Sequence, residues 1–316
     1  MNKQIFASEL TAKLWKLVRF FIIVGLSFIL LYPILYMISM AVRSPDQVAD
    51  PSVIWIPKTY TISNFVKAVE YMEYNNSFHT SMTVVLTSSL LSLISCSLAG
   101  YGLARFKFKG KEIWFTFVIM TLIVPAQAVT IPMYLQYQNF SIPIISPILN
   151  ILFNIEMPSW LTVNLIDSWF VFWLPAAFGC GIRAGLYIYI FRQFFRSIPL
   201  ELEEAAQVDG AGYFKTFYRI MIPNAGSAYL TVFIFSVVWY WNDTFYSNVY
   251  ISRKTTMAKA LSGISERIKA GIGVNEYASS PIRLAGCILF IAPLMIMYLF
   301  LQNYFVESVE RTGIVG

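Results

Sequence analysis

The sequence predicts an all-α membrane protein, and three observations carry that prediction: an apolar composition, six stretches long enough to cross a bilayer, and basic residues gathered between alternate stretches. Of 316 residues, 57% are hydrophobic, 17% aromatic and 13% charged, more apolar side chain than a water-soluble domain can cover. About 20 apolar residues are needed to cross roughly 30 Å of hydrocarbon. Six stretches meet that length: 17–42, 78–103, 113–137, 168–191, 224–246 and 284–306. The first is about twice a signal-peptide core and lacks a small-residue cleavage site, so it reads as a span.

Positive side chains are retained on the cytoplasmic face of a membrane, which orients the spans. Lys3, Lys13, Lys16 and Arg19 precede the first; Arg105, Lys107, Lys109 and Lys111 fill the second-to-third connection; Arg192, Arg196, Lys215 and Arg219 fill the fourth-to-fifth. These segments alternate and belong inside, with both termini. Between 113 and 182 there is no lysine or arginine, as an external third-to-fourth connection requires. The fifth-to-sixth connection dissents with Arg253, Lys254, Lys259, Arg267, Lys269 and Arg283, but long loops obey the charge rule poorly. The apolar run 142–153, broken by Pro143 and Pro147, is too short to span and reads as an external interfacial or re-entrant element. The expected organisation is a cytoplasmic arm at 1–16, a membrane domain at 17–308 and a cytoplasmic tail at 309–316.

The polar segment 197–223 is the most informative part of the chain. Ser197-Ile198-Pro199 ends the fourth stretch, and Leu200 to Val208 holds helix formers with acids at 201, 203 and 204, where they complement the positive end of a helix. Asp209-Gly210-Ala211-Gly212 is a turn signal, with glycine supplying positive φ. A second amphipathic stretch, Tyr213 to Met221, leads into Pro223. The expectation is a helix-turn-helix lying flat on the membrane.

Its spacing is specific. Glu204-Ala205-Ala206, three residues, Gly210, nine residues, then Ile220 and Pro223 resembles the "EAA loop" of binding-protein-dependent ATP-binding-cassette (ABC) importer permeases. Gly100-Tyr-Gly-Leu-Ala-Arg105-Phe-Lys-Phe108, Trp241-Asn242-Asp243, Pro293 and Gln302-Asn-Tyr-Phe305-Val306 resemble the carbohydrate-importer branch of the maltose-transporter type, as does the small-residue tail ending Gly313 to Gly316. The resemblance covers almost the whole chain. It departs at Ser308, where the family commonly has glycine, and at about 141–163, which looks like an external insertion.

The resemblance implies a type I (MetI-like) permease fold of six transmembrane helices in the bacterial inner membrane, with a cytoplasmic coupling-helix hairpin. It implies pairing with a second, homologous permease, two ATP-binding subunits and an external solute-binding protein, and import of a sugar, an oligosaccharide in particular. Glu204, Ala205, Ala206, Asp209, Gly210, Ile220 and Pro223 then form the ATPase-coupling contact. Neither a catalytic residue nor a cofactor is expected on this chain. ATP and Mg belong to the partner subunits, because Gly110-Lys111 is followed by Glu112 and completes no phosphate-binding loop.

Within the membrane, Arg183 stands out, nine residues before Arg192 and so roughly 13 Å deeper on a continuous helix. A guanidinium there costs about 2.5–3.5 kcal/mol and must face protein or a wet cavity. It either bonds Asp243 or a backbone carbonyl, or lines a substrate pathway. Gly181 and Gly185 form a G-x-x-x-G packing signal, and Pro125 and Pro132 predict kinks in the third stretch. Trp239, Trp241, Asn242 and Asp243 offer the indole faces, amide and carboxylate that suit a sugar, although an interfacial aromatic belt predicts the same composition.

Rival classes fit less well. A permease for amino acids, peptides or another small solute lacks the Trp-Asn-Asp element and closing segment. A secondary transporter or channel predicts inverted repeats and intramembrane acids, and only Asp167 and Asp243 are candidates. Lone His79 and the scattered Cys96, Cys180 and Cys287 build neither a metal site nor a disulfide framework. No basic stripe with interleaved aromatics accompanies the +6 charge, so a nucleic-acid partner is not expected.

Overall fold

The computed structural model describes residues 2–140, 162–273 and 276–313, so most of the 141–163 insertion and the closing residues 314–316 lie outside the described residues. Among the described residues the chain is helical, with two isolated backbone bridges, Arg43 to Tyr60 and Phe140 to Val163, and no strand. It divides into two compact units, 1–72 with 263–292, and 73–262 with 293–316.

The first unit opens with α1 (Asn2–Ala41). The expected arm at 1–16 is the beginning of this helix, because the chain carries neither glycine nor proline before Gly25 to stop it. After α1, Arg43 is buried and donates to the carbonyls of Val53 (3.0 Å) and Ile54 (3.2 Å). The Asn64 amide, on α2 (Ser63–Tyr71), donates to the carbonyls of Ala41 (2.9 Å) and Arg43 (2.8 Å), so two side chains satisfy a loop that has no sheet partner.

The second unit is built around α3 (Tyr74–Arg105), which extends roughly 48 Å at 1.5 Å per residue. Ser77, Ser81, Ser88, Ser92, Cys96 and Gly100 recur on one buried face. Small side chains at helical spacing let other helices approach closely, which is how packing is won where lipid removes the hydrophobic incentive.

The next two predicted spans are not straight helices. The stretch 113–137 is α4 (Lys111–Ile123) and α5 (Ala126–Gln138), bent by 101°. Pro125 forces Val124 into an extended conformation and ends α4, whereas Pro132 is absorbed within α5. The stretch 168–191 is α6 (Phe170–Ala177) and α7 (Ala184–Ser197), with a break that contains Gly179 at φ 69° and Arg183 at φ 59°. In the connection to the fifth stretch, α8 (Glu201–Val208) and α9 (Tyr213–Thr216) are followed by a π-helical turn (Phe217–Met221) and α10 (Ile222–Asn224). The segment Tyr213–Asn224 meets α11 (Gly226–Trp241) at 79°. Two short helices, α12 (Phe245–Tyr250) and α13 (Met257–Ser262), close this part, and α14 (Ile264–Ile272) precedes α15 (Glu276–Gly313).

Among the described residues three helices are long and apolar enough to cross a membrane, Lys13–Ala41, Tyr74–Arg105 and Ser279–Gln302, and up to five if each bent pair is one span. The expected fourth span is in neither group. The basic residues of the dissenting connection are engaged by the protein itself: Lys254 stacks on Trp169 (3.7 Å), Lys259 donates to the Ile251 carbonyl (2.7 Å) and Arg267 to the Tyr71 carbonyl (2.9 Å).

Candidate functional site

The predicted helix-turn-helix forms at the predicted residues. Glu201, Glu203 and Glu204 occupy the first turn of α8, and Asp209 follows its end. Gly210 takes φ 76°, and the Ala211 amide donates back to the Ala206 carbonyl at 2.8 Å, closing the helix with a left-handed residue. No atom lies within 4 Å of a Cβ built on Gly210, so the site demands glycine through torsion alone. Gly210→Val should therefore cost about 1–2 kcal/mol. Gly210→Asn should cost less, because asparagine tolerates this region. Chymotryptic cleavage of the detergent-solubilised protein at Phe214 reads the difference: faster for Val, near wild type for Asn.

One face of the hairpin is buried: Glu203, Ala206, Thr216, Phe217 and Met221. Phe217 lies 4.9 Å from Tyr101 and 6.0 Å from Phe195 between ring centroids, and Tyr213 meets Phe106 at 5.3 Å. Those contacts fix the hairpin to the ends of α3 and α7. The π-turn that delivers Phe217 into this cluster is a rare geometry that recurs at functional positions.

Glu203 is the residue that sequence reasoning passed over. Its Oε1 is 3.1 Å from Arg105 Nε, with the two side chains only 7% and 10% exposed, and Arg105 also donates to the Ile198 carbonyl. Burial raises the Glu203 carboxyl above its ordinary value, partly offset by the adjacent Arg105 charge. The available signal was its spacing: Glu203 lies three residues from Ala206, on the face that turns inward.

On the opposite face, Glu204, Ala205 and Asp209 are exposed, and so are the apolar side chains of Val208 (88%), Phe214 (83%) and Tyr218 (72%). Ala206, Asp209, Ala211, Lys215, Arg219 and Ile220 line an open notch of about 270 Å³ between the two arms. Of the expected coupling residues, Ala206 therefore faces the protein and the notch, while Pro223 is exposed beyond the π-turn.

The residues expected to meet substrate separate in the structure. Arg183 is not inside a helix but caps α7 from the break, so helical rise does not set its depth. Its guanidinium sits 4.2 Å above the Trp239 ring and makes no ion pair to Asp243. Asp243 is instead taken up by its own turn, accepting from the amides of Tyr246 (3.1 Å) and Ser247 (2.9 Å) and from the Ser247 hydroxyl (2.9 Å), which starts α12. Asn242 donates to the Val238 carbonyl at 2.8 Å, and Trp241 is buried edge-to-face on Phe78. Arg183 and Trp239 thus stay together in the open; the other three hold the end of α11.

Gly181 and Gly185 do not share one packing seam. A Cβ on Gly181 would strike the Tyr240 hydroxyl on α11, and one on Gly185 would strike Thr121 and come within 2.9 Å of the Val118 carbonyl on α4. The Tyr240 hydroxyl accepts from the Ile182 amide at 3.2 Å, so a side chain from a distant helix stabilises the break.

Comparison with known proteins bears on this arrangement. The arabinooligosaccharides transport system permease protein AraQ of Halalkalibacterium halodurans is 25% identical over 295 residues, 92% of this chain and 93% of its own. The trehalose transport system permease protein SugB of Mycobacterium tuberculosis is 25% identical over 90% of this chain and 93% of its own. A chain of a bacterial ABC transporter involved in the import of the acidic polysaccharide alginate shares the fold, with a TM-score of 0.72 at 21% identity, over 93% of this chain and 98% of that one. Residues 96–311, from the last third of α3 to near the end of α15 and so including the hairpin and the helix break, match the model of one family, and the chain belongs to it: the binding-protein-dependent transport system inner membrane components.

Proposed function

We propose that this chain is the permease subunit of an ABC importer that carries an oligosaccharide into the cell, and that the 197–223 hairpin is where it receives force from ATP-binding subunits. The observation that carries the reading is the hairpin itself: the Glu204-Ala205-Ala206 and Gly210 spacing folds into two arms, tied to α3 on one side and exposing Val208, Phe214 and Tyr218 on the other. Apolar side chains that exposed on an ordered cytosolic element call for a protein partner. The sugar follows from the relatives named for arabinooligosaccharides, trehalose and alginate.

In this mechanism Ala205 lets the partner's backbone approach, Glu204 offers its carboxylate, and the Tyr101, Phe195 and Phe217 cluster passes motion from the hairpin into α3 and α7. ATP and Mg reside on the partners. A second permease of the same family completes the pathway, and a solute-binding protein delivers sugar from outside. The 17–308 segment is the membrane domain in the inner membrane, with both termini cytoplasmic and the 141–163 insertion external.

Ala205→Arg tests the coupling. Ala205 is exposed, so the variant is expected to reach the membrane in wild-type amount yet no longer retain the ATP-binding subunits on purification, with ATP-dependent uptake of oligosaccharide falling at least tenfold. Normal retention and uptake would remove the hairpin from the coupling path.

A further inference from the structure

The break in the fourth apolar stretch places a cation where neutral-sugar transport has no need of one. Arg183 is exposed at φ 59°, a left-handed conformation that non-glycine residues rarely adopt and that marks functional positions. Among the described residues its guanidinium makes neither an ion pair nor a hydrogen bond; its contact is the Trp239 ring face, 4.2 Å away. Stacking on a ring leaves the in-plane N–H donors of a guanidinium free, and their fork matches a carboxylate. The acid nearest in the chain to Trp239, Asp243, is consumed by the amides of Tyr246 and Ser247. The charge of Arg183 is thus left uncompensated, and the positive end of α7 adds to it.

A column of aromatic rings starts just after α11 in the chain. Tyr246 stacks on Tyr250 at 5.8 Å and 16°, and Tyr250 in turn stacks on Tyr134 at 6.5 Å and 23°. Tyr250 is buried, while Tyr246 and Tyr134 at the two ends of the column are half-buried and keep surface for a ligand. Sugar rings present C–H faces to aromatic planes, and a uronic acid adds a carboxylate.

We propose that Arg183, held on Trp239, is a subsite for a carboxylate-bearing sugar unit, so that the imported oligosaccharide is a uronate type. This rests on the oligosaccharide reading above and narrows it to an anionic substrate.

The test uses the complete importer with its own solute-binding protein in proteoliposomes, and compares uptake of a mannuronate oligomer with a neutral mannose oligomer of equal length. The wild type is expected to take up the mannuronate oligomer. Arg183→Gln should lower that uptake by about tenfold or more, the worth of a desolvated charge-assisted hydrogen bond, with an unchanged amount of assembled complex. Arg183→Lys should be intermediate, because it restores charge without the fork. Mannuronate uptake that is indifferent to Arg183→Gln overturns the subsite. So does failure of Arg183→Gln to assemble, which would mean that the arginine pairs with a neighbouring subunit. Uptake of the neutral oligomer alone, or of neither oligomer, overturns the subsite and leaves the oligosaccharide reading standing.

Discussion

Glu203→Ala is expected to destabilise the protein by about 1–3 kcal/mol, because it removes the carboxyl acceptor beside the buried guanidinium of Arg105 at the point where the hairpin joins α3. The remaining donation from Arg105 to the Ile198 carbonyl does not neutralise the charge. Arg105→Met should be comparably damaging, leaving the Glu203 carboxylate buried alone. The double variant Arg105→Met/Glu203→Met removes both charges and keeps the volume, so thermal unfolding of the purified protein should return close to wild type. Additive losses in the double variant would show that the two side chains act separately. The pH response carries a sign of its own. The Glu203 carboxyl is raised, so the folded state holds its proton more tightly than the unfolded state. Its favourable contribution is fully present below the unfolded pKa and is lost as pH rises through the raised folded value. Mild acidification should thus stabilise the wild type relative to Glu203→Gln, and a difference that is flat with pH would refute this.

The hairpin was legible because its signals are local. Acids in the first turn, a Gly210 that must turn left-handed and a Pro223 after the second arm are short-range rules, and the helix boundaries follow them. The fourth stretch was not legible, since a predominantly apolar stretch of this length satisfies a span template whether or not the backbone stays helical. What holds the break is distant: the Tyr240 hydroxyl on α11 takes the Ile182 amide. Density of glycine at 179, 181 and 185 around a lone arginine was the signal available. Trp241-Asn242-Asp243 carries two signals at once. Its composition suits a sugar, but Asp243 ahead of α12 is a capping residue first, and a cap is as visible in sequence as a binding motif.

Gly100→Leu should abolish accumulation of folded protein in the membrane. A Cβ on Gly100 would stand 2.6 Å from the Cβ of Phe191, 3.1 Å from the Arg192 amide nitrogen and 3.2 Å from the Phe191 carbonyl carbon, so it meets the backbone of α7 rather than a side chain that can rotate away. Overpacking of this kind costs about 1–3 kcal/mol even for small additions, and leucine adds three further carbons. The crossing also carries a polar latch. Arg192, buried beside the contact, reaches both oxygens of Glu112 at 2.8 and 2.9 Å, lies 3.7 Å above the Phe115 ring and donates to the Leu103 carbonyl at 3.3 Å. Pushing α3 off α7 would stretch the contact to the Leu103 carbonyl and detach the Tyr101 to Phe217 stack beyond it. Gly102 provides the control on the same helix: its built Cβ meets only Phe106 Cδ2, at 3.9 Å. Gly102→Ala should be neutral or stabilise by up to about 1 kcal/mol through helix propensity. Membrane yield and unfolding temperature, measured side by side for Gly100→Ala, Gly100→Leu and Gly102→Ala, should fall modestly, fall to background, and hold or rise, respectively. Equal behaviour of the two alanine variants would mean that the helices can separate at no cost, and that the close crossing at Gly100 does not carry the motion of the hairpin.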